Sequence, residues 1–228
     1  DLSTRPFRIL RQGALPAEEI FQTLTEGMTV VGITGGTGCG KTTALRTVQE
    51  MGGLAIDCDE VYHTLGETSA SLREKLIARF GPECYATGVL NTKPIGEIVF
   101  HDPQALLELN AITHGAVKEE VSRRLTEWAL QGGTFAAVDA IGLFESGMAD
   151  AYRPVVGVIA PKQLRMERIM ARDGISQEYA LARIESQRPD SFYQEHCDKV
   201  LVNGGTPEEF AAACKDYFTE VLNHGKSV

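Results

Sequence analysis

The sequence predicts a three-layer α/β fold built on a five-stranded parallel sheet, and three observations predict it. From Met28 onward, apolar runs of strand length alternate with amphipathic stretches of helix length. A glycine-rich turn, Gly35–Gly40, joins the first run to the first helical stretch. The 228 residues are 43% hydrophobic and 23% charged, an average globular balance, and a chain this long buries about 70% of its unfolded surface without staples.

Taken in order, residues 1–27 are broken by Pro6, Gly13, Pro16 and Gly27, and only PAEEIFQTLTEG has the length and pattern of a helix, with Pro16 at its first turn. They read as a dispensable extension before a working domain at 28–228. Strands are expected at Thr29–Thr34, Leu54–Asp57, Phe135–Asp139, Val155–Ala160 and Lys199–Val202. Helices are expected at Lys41–Met51, Ser69–Phe80, Pro103–Ile112, Ala116–Leu130, Lys162–Arg172, Gln177–Gln187 and Pro207–Leu222. Asp102, Ser176 and Thr206 stand at helix starts as caps. The stretch Ser69–Gly132 holds no strand pattern, which marks roughly 60–132 as a helical insertion between the second and third strands.

The charge balance of 22 Lys+Arg against 31 Asp+Glu gives −9, the wrong sign for a general binder of nucleic acid or anionic membrane. No apolar run approaches a membrane span, and no leader pattern opens the chain. The five cysteines are scattered, with no CxxC pair, which argues against a disulfide scaffold or a structural zinc site. A reduced, cytoplasmic protein, a monomer or weak oligomer, is expected.

Gly35-Gly36-Thr37-Gly38-Cys39-Gly40-Lys41-Thr42 fits GxxxxGK[ST] and sits between a strand and a helix, the context that the motif requires for a P-loop NTPase fold. Glycines let successive backbone N–H groups turn inward, and the helix N-terminus adds positive charge where phosphate oxygens sit. Gly36, Thr37, Gly38, Cys39 and Gly40 would cradle the phosphates of a nucleoside triphosphate, and the motif alone leaves kinase, ATPase and GTPase open. Lys41 would reach the β- and γ-phosphates, the Thr42 hydroxyl would ligate Mg2+, and Thr43 would touch the α-phosphate. Cys39, at a helix N-terminus, is either an activated, oxidisable thiol or a small residue that merely fits.

LAIDCD ends the second strand with Asp57 and Asp59, two residues apart. On an extended chain both face one way, at the sheet edge where ligands gather, and either could take a proton from an acceptor hydroxyl or contact a metal. The alternative is a turn whose Asp residues cap the next helix. Asp139 ends the run TFAAV, the form that ligates magnesium in many phosphate-loop proteins, or else bonds neighbouring backbone. Arg165, Arg168, Arg172, Arg183 and Arg188 cluster around Asp173-Gly174 and suit a lid over 162–190 that covers a transferring phosphate, or a solvated charged face.

GGTGCGKTT, GGLAIDCDEVYH, Phe80-Gly81, LNTKPIGEIVFHDPQALLELNAITH, DAIGLFESG, RMERIMARDGIS, RIESQRPD and CDKVLVNGG resemble dephospho-CoA kinase in order and spacing, from Met28 to about Glu220. The resemblance implies ATP-dependent phosphorylation of the ribose 3′-hydroxyl of dephospho-CoA. It implies Asp59 as the general base and Arg172 as a phosphate clamp, with Phe80, His114, Leu143 and Glu145 on the acceptor side. Thr92, Gly115, Ile141, Gly142 and Tyr193 depart from the family's usual pattern. Rival readings are another small-metabolite or nucleoside kinase, a nucleotide switch, which wants an NKxD motif in a chain with no Asn-Lys pair, and a non-catalytic binding module.

Overall fold

The computed structural model describes residues 4–9 and 16–224. Five strands form one parallel sheet: β1 (Thr29–Thr34), β2 (Leu54–Asp57), β3 (Phe135–Asp139), β4 (Val155–Ile159) and β5 (Lys199–Val202), in the order β2-β3-β1-β4-β5. The register pairs Ile33 of β1 with Asp139 of β3 on one side and with Val156 of β4 on the other. β1, β3 and β4 are buried almost throughout, as a sheet covered by helices on both faces requires. All five strands fall where the apolar runs placed them, β4 ending one residue early.

The chain divides into two compact units, Asp1–Ile56 with Leu125–Val228, and Asp57–Arg124. In the first unit, α2 (Lys41–Glu50) and α10 (Pro207–His224) lie together on the sheet. Ala44, Leu45 and Val48 of α2 meet Phe210, Cys214 and Phe218 of α10 over Val31, Ile33, Val156 and Val158. α7 (Lys162–Asp173) and α8 (Gln177–Glu185) form a hairpin with a small core of its own, Met166, Ile169, Ala180 and Ile184. Gly174 ends α7 in the left-handed conformation, and the Ser176 hydroxyl caps α8 at the Tyr179 amide. Ahead of β1, α1 (Ala17–Glu26) occupies the expected segment, and Phe7 N–H donates to the Leu130 carbonyl at 2.7 Å.

The second unit is helical: α3 (Cys58–Thr68), α4 (Ala70–Phe80), α5 (Thr92–His101) and the greater part of α6 (Pro103–Leu130). Leu72, Leu76, Phe80, Cys84, Tyr85, Ile95 and Ala105 make its core. Two features differ from the sequence expectation. α6 is one helix and not two: it runs through Thr113-His114-Gly115, where a mid-helix glycine costs only about 1 kcal/mol against alanine. α3 and α5 are additional helices, started by the side chains of Asp57 and Asn91, each accepting backbone N–H bonds of the first turn. A third, α9 (Asp190–His196), packs on β4 and β5.

Candidate active site

The turn from β1 to α2 is shaped by three glycines at positive φ, Gly35 at 143°, Gly38 at 80° and Gly40 at 102°. A Cβ on Gly35 would lie 2.2 Å from the Val158 carbonyl oxygen, which is backbone and cannot swing away. Gly35→Ala is therefore expected to destabilise the protein by about 2 kcal/mol or more, measured by urea titration. A loss under about 0.5 kcal/mol would show that the turn is not built on this close approach.

Three successive carbonyls of this turn are tied down by side chains from far along the chain. Arg165 Nε donates to the Thr37 carbonyl at 3.0 Å, Arg168 Nη1 to Gly38 at 3.3 Å, and Asn203 Nδ2 to Cys39 at 2.8 Å. Arg168 Nη2 in turn donates to Asn203 Oδ1 at 3.1 Å, which links two of the anchors. Because a trans peptide is planar, with C=O and the following N–H on opposite sides, each anchored carbonyl aims the next amide the other way. The amides of Gly38 and Gly40 are thereby turned away from the anchored carbonyls before them, while the Cys39 N–H donates within the turn to the Gly36 carbonyl at 3.2 Å. Gly40 caps α2 without a side-chain bond. A glycine turn that presents amides beside a helix N-terminus is a phosphate-binding arrangement.

Thr37 is placed differently from the expected phosphate contact. It is buried, its N–H donates to Gln187 Oε1 at 2.9 Å, and its hydroxyl accepts from Gln187 Nε2 at 2.8 Å. Its donor is spent within the protein, and Gln187, at the end of the lid segment, is the residue that spends it. Arg165, Arg168, Gln187 and Asn203 all support the turn, and sequence reading assigned this to none of them. Arg165 is 4% exposed, the opposite of a solvated charged face.

Cys39 is fully buried among core residues, and burial pushes its thiol up, against the opposing pull of Arg165 and then Lys41. Of the two readings of Cys39, this favours the small residue that fits: burial outweighs the charges that would activate the thiol. Lys41 is half-buried and Thr42 exposed at the first turn of α2. Asp139 is buried at the end of β3, opposite Ile33, next to the strand that feeds the turn.

Arg172, expected as a phosphate clamp, donates to Asp173 through Nε at 2.6 Å and Nη2 at 3.0 Å. Arg183 Nη1 reaches the same carboxylate at 2.6 Å. Two guanidiniums, Arg172 first, hold the Asp173 carboxyl down at about 2. This hairpin therefore keeps its exposed arginines on an acidic partner.

Beside the turn lies a cleft of about 430 Å³ lined by Ile141, Gly142, Glu145, Gln187, Arg188 and Tyr193, among others. Three of the five positions that depart from the family pattern, Ile141, Gly142 and Tyr193, thus meet in one place. Glu145 accepts from Arg188 Nε at 3.0 Å, and the Arg188 guanidinium lies 4.9 Å from the Phe192 ring centre. Tyr193 is 2% exposed, and burial pushes its phenol up to about 12. Leu143, expected on the acceptor side, is fully buried, and a Cβ on Gly32 would stand 3.0 Å from its Cδ2. Its side chain packs the loop onto β1 and is not available to a ligand.

The other expected acceptor residues belong to the second unit. Phe80 is 5% exposed in that unit's core, so its ring too is a packing residue. His114 is half-buried within α6. Asp57 and Asp59 do not share one face of an extended chain, because the strand stops at Asp57 and α3 starts at Cys58. Asp57 Oδ1 accepts from the Asp59 amide at 2.9 Å and from the Glu60 amide at 3.3 Å, which makes it the helix cap. Asp59 stands exposed in the first turn of α3.

A parallel sheet whose central strand feeds a GxxxxGKT turn, backed by a basic helical hairpin, defines a P-loop kinase. The family model described as dephospho-CoA kinase matches residues 29–209. A dephospho-CoA kinase of Dehalococcoides mccartyi is 36% identical over 177 residues, 77% of this chain and 89% of that protein. Among solved structures, TT1252 from Thermus thermophilus superposes with a TM-score of 0.72 at 30% identity, covering 85% of this chain and 97% of that one. A dephospho-CoA kinase from Campylobacter jejuni gives 0.59 at 25% identity, covering 84% and 96%. The chain belongs to the dephospho-CoA kinase family. It is a kinase for ATP-dependent phosphorylation of dephospho-CoA in coenzyme A biosynthesis. Among the described residues, no helix is long and apolar enough to cross a membrane.

Proposed function

We propose that the chain transfers the γ-phosphoryl group of ATP to the ribose 3′-hydroxyl of dephospho-CoA, with roles divided as follows. The observation that carries the ATP side is the run of three anchored carbonyls, Thr37 to Cys39, which fixes the glycine turn ahead of α2 and orients the Gly38 and Gly40 amides. Those amides and the Lys41 ammonium hold the triphosphate, and Thr43 approaches the α-phosphate. Arg172, released from Asp173, steadies the transferring group when the lid of about 162–190 closes and excludes water.

The Thr42 hydroxyl and the Asp139 carboxylate are hard oxygen donors on α2 and β3, which pack against each other. A site of this kind fits Mg2+, which takes few protein ligands and completes its shell with phosphate oxygens and water. When bound, Mg2+ neutralises charge on the β- and γ-phosphates.

Asp59 accepts the 3′-hydroxyl proton as that oxygen bonds to the γ-phosphorus and the bond from the γ-phosphorus to the bridging oxygen breaks, leaving ADP. Support comes from its place two residues after β2, at the carboxyl end of a parallel strand, and from the match of GGLAIDCDEVYH to the family. His114 and Glu145 serve the acceptor. Residues 1–27 stand outside the family match, which begins at 29, and are dispensable for transfer. The enzyme works in the cytoplasm as a monomer or weak oligomer, without nucleic acid.

A coupled ADP-release assay with dephospho-CoA, uridine, cytidine and shikimate tests the acceptor. Turnover with dephospho-CoA alone is expected; comparable kcat/KM with a nucleoside or shikimate would move the protein to another kinase class.

A further inference from the structure

Arg165 combines three properties that a structural arginine does not need together. It is 4% exposed, it is bonded to the phosphate turn itself, and among the described residues its ion-pair partner, Asp190, is distant and partly exposed. Asp190 Oδ1 is 3.8 Å from Nη1, and its side chain is 43% exposed, so solvent screens it. The guanidinium is packed directly behind the turn: a Cβ on Gly36 would fall 2.1 Å from Nη2. Its remaining bond, Nη2 to Gln187 Oε1 at 2.9 Å, is to a neutral amide that also takes the Thr37 N–H. Gln187 completes the arrangement with Nε2 on the Thr37 hydroxyl.

The bond to a neutral amide does not offset the guanidinium charge, and the long, partly exposed pair with Asp190 offsets it only in part. In a low-dielectric setting that charge acts on anything bound on the other side of the turn. The effect reaches Cys39, within the turn, where Arg165 opposes the burial of the thiol more strongly than Lys41 does.

We propose that Arg165 is a positioning residue of the nucleotide site, a fixed positive charge behind the phosphate turn that favours the more highly charged nucleotide, and that Gln187 locks it and Thr37 in place. The inference rests on the reading of this turn as the ATP site. Arg165 touches no phosphate in this arrangement. It acts through the Thr37 peptide and through its field, while Lys41 and the amides make the contacts. The two members separate chemically: Arg165 supplies charge and one bond to the turn, and Gln187 supplies three bonds and no charge.

The test is calorimetric binding of Mg-ATP and Mg-ADP to the full chain, without acceptor, at low and moderate salt, with melting temperature recorded for each variant. Arg165→Met is expected to weaken ATP about tenfold and ADP about threefold, and to flatten the salt dependence of ATP binding. Arg165→Lys, which keeps the charge but not the fork of donors, should return the ATP-to-ADP preference to the wild-type ratio even with a lowered melting temperature. Gln187→Met should weaken both nucleotides about threefold with their ratio unchanged, because the charge stays while Thr37 is released. Binding within twofold of wild type in Arg165→Met overturns the proposal, as does an equal loss for both nucleotides that Lys does not redress. If Arg165→Met does not fold, unchanged affinity in Gln187→Met overturns it. A wild-type chain that binds neither nucleotide would sink the ATP reading, an outcome distinct from variants that bind as wild type does.

Discussion

Lys41→Ala is expected to lower kcat by a factor of about 10²–10³ or more while leaving the fold as stable as before. The first half follows from position. Lys41 is the first residue of α2, directly after the glycine turn, and in the proposed arrangement its ammonium is the positive charge beside the β- and γ-phosphates. As negative charge shifts toward the leaving oxygen, an ammonium held there counts for more in the transition state than in the ground state. The second half follows from electrostatics. A lysine in the first turn of a helix opposes the positive end of the helix dipole, and Lys41 lies outside the buried cluster that joins α2 to the sheet. Removing it should shift the urea midpoint little, or slightly upward. A variant that still turns over at more than a tenth of the wild-type rate would show that the turn does not grip a reacting triphosphate. A variant that unfolds would show that the residue serves the fold.

Asp59→Asn carries the next largest effect, and it tests the proton acceptor. Asparagine keeps the shape and removes the base, so kcat is expected to fall by about 10²–10⁴ with the Kd for ATP unchanged within about twofold. The cost to stability is small, about 0.3–1 kcal/mol for a lost negative charge in the first turn of α3. The contrast is with its neighbour. Asp57 accepts two amide bonds as the cap of α3, so Asp57→Ala should cost about 1 kcal/mol of stability. A kcat for Asp59→Asn within threefold of wild type removes it as the base. An effect on ATP affinity as large as that on kcat would make it a nucleotide contact.

These two residues also mark how far the sequence could be read. GxxxxGKT after an apolar run and before an amphipathic one specifies a turn whose conformation only glycine permits, so Gly35, Gly38 and Gly40 identified the site on local grounds. Asp57 and Asp59 were both visible as candidates, yet their division into cap and exposed carboxylate depended on where the strand stops. An extended chain would have aimed them together; a helix starting at Cys58 parts them. Phe80 and Leu143 show the converse. The motif match points to both as ligand contacts, yet both are buried, because a motif preserves position without saying which way a side chain faces.

Features that depend on neighbours along the chain were legible in the amino-acid order: the five strands, the phosphate turn, most of the helices, and the family. The support of the turn was not. Arg165, Arg168, Gln187 and Asn203 lie more than a hundred residues from the carbonyls and amide that they hold. No periodicity or spacing relates residues so far apart; the sheet does, by setting β4 and the helix after it beside β1. The arginines of one helix read alike in sequence, as a charged face. Packing separates them, burying Arg165 behind the turn and leaving Arg172 exposed on Asp173, because desolvation and hydrogen-bond geometry exist only once the chain has closed on itself.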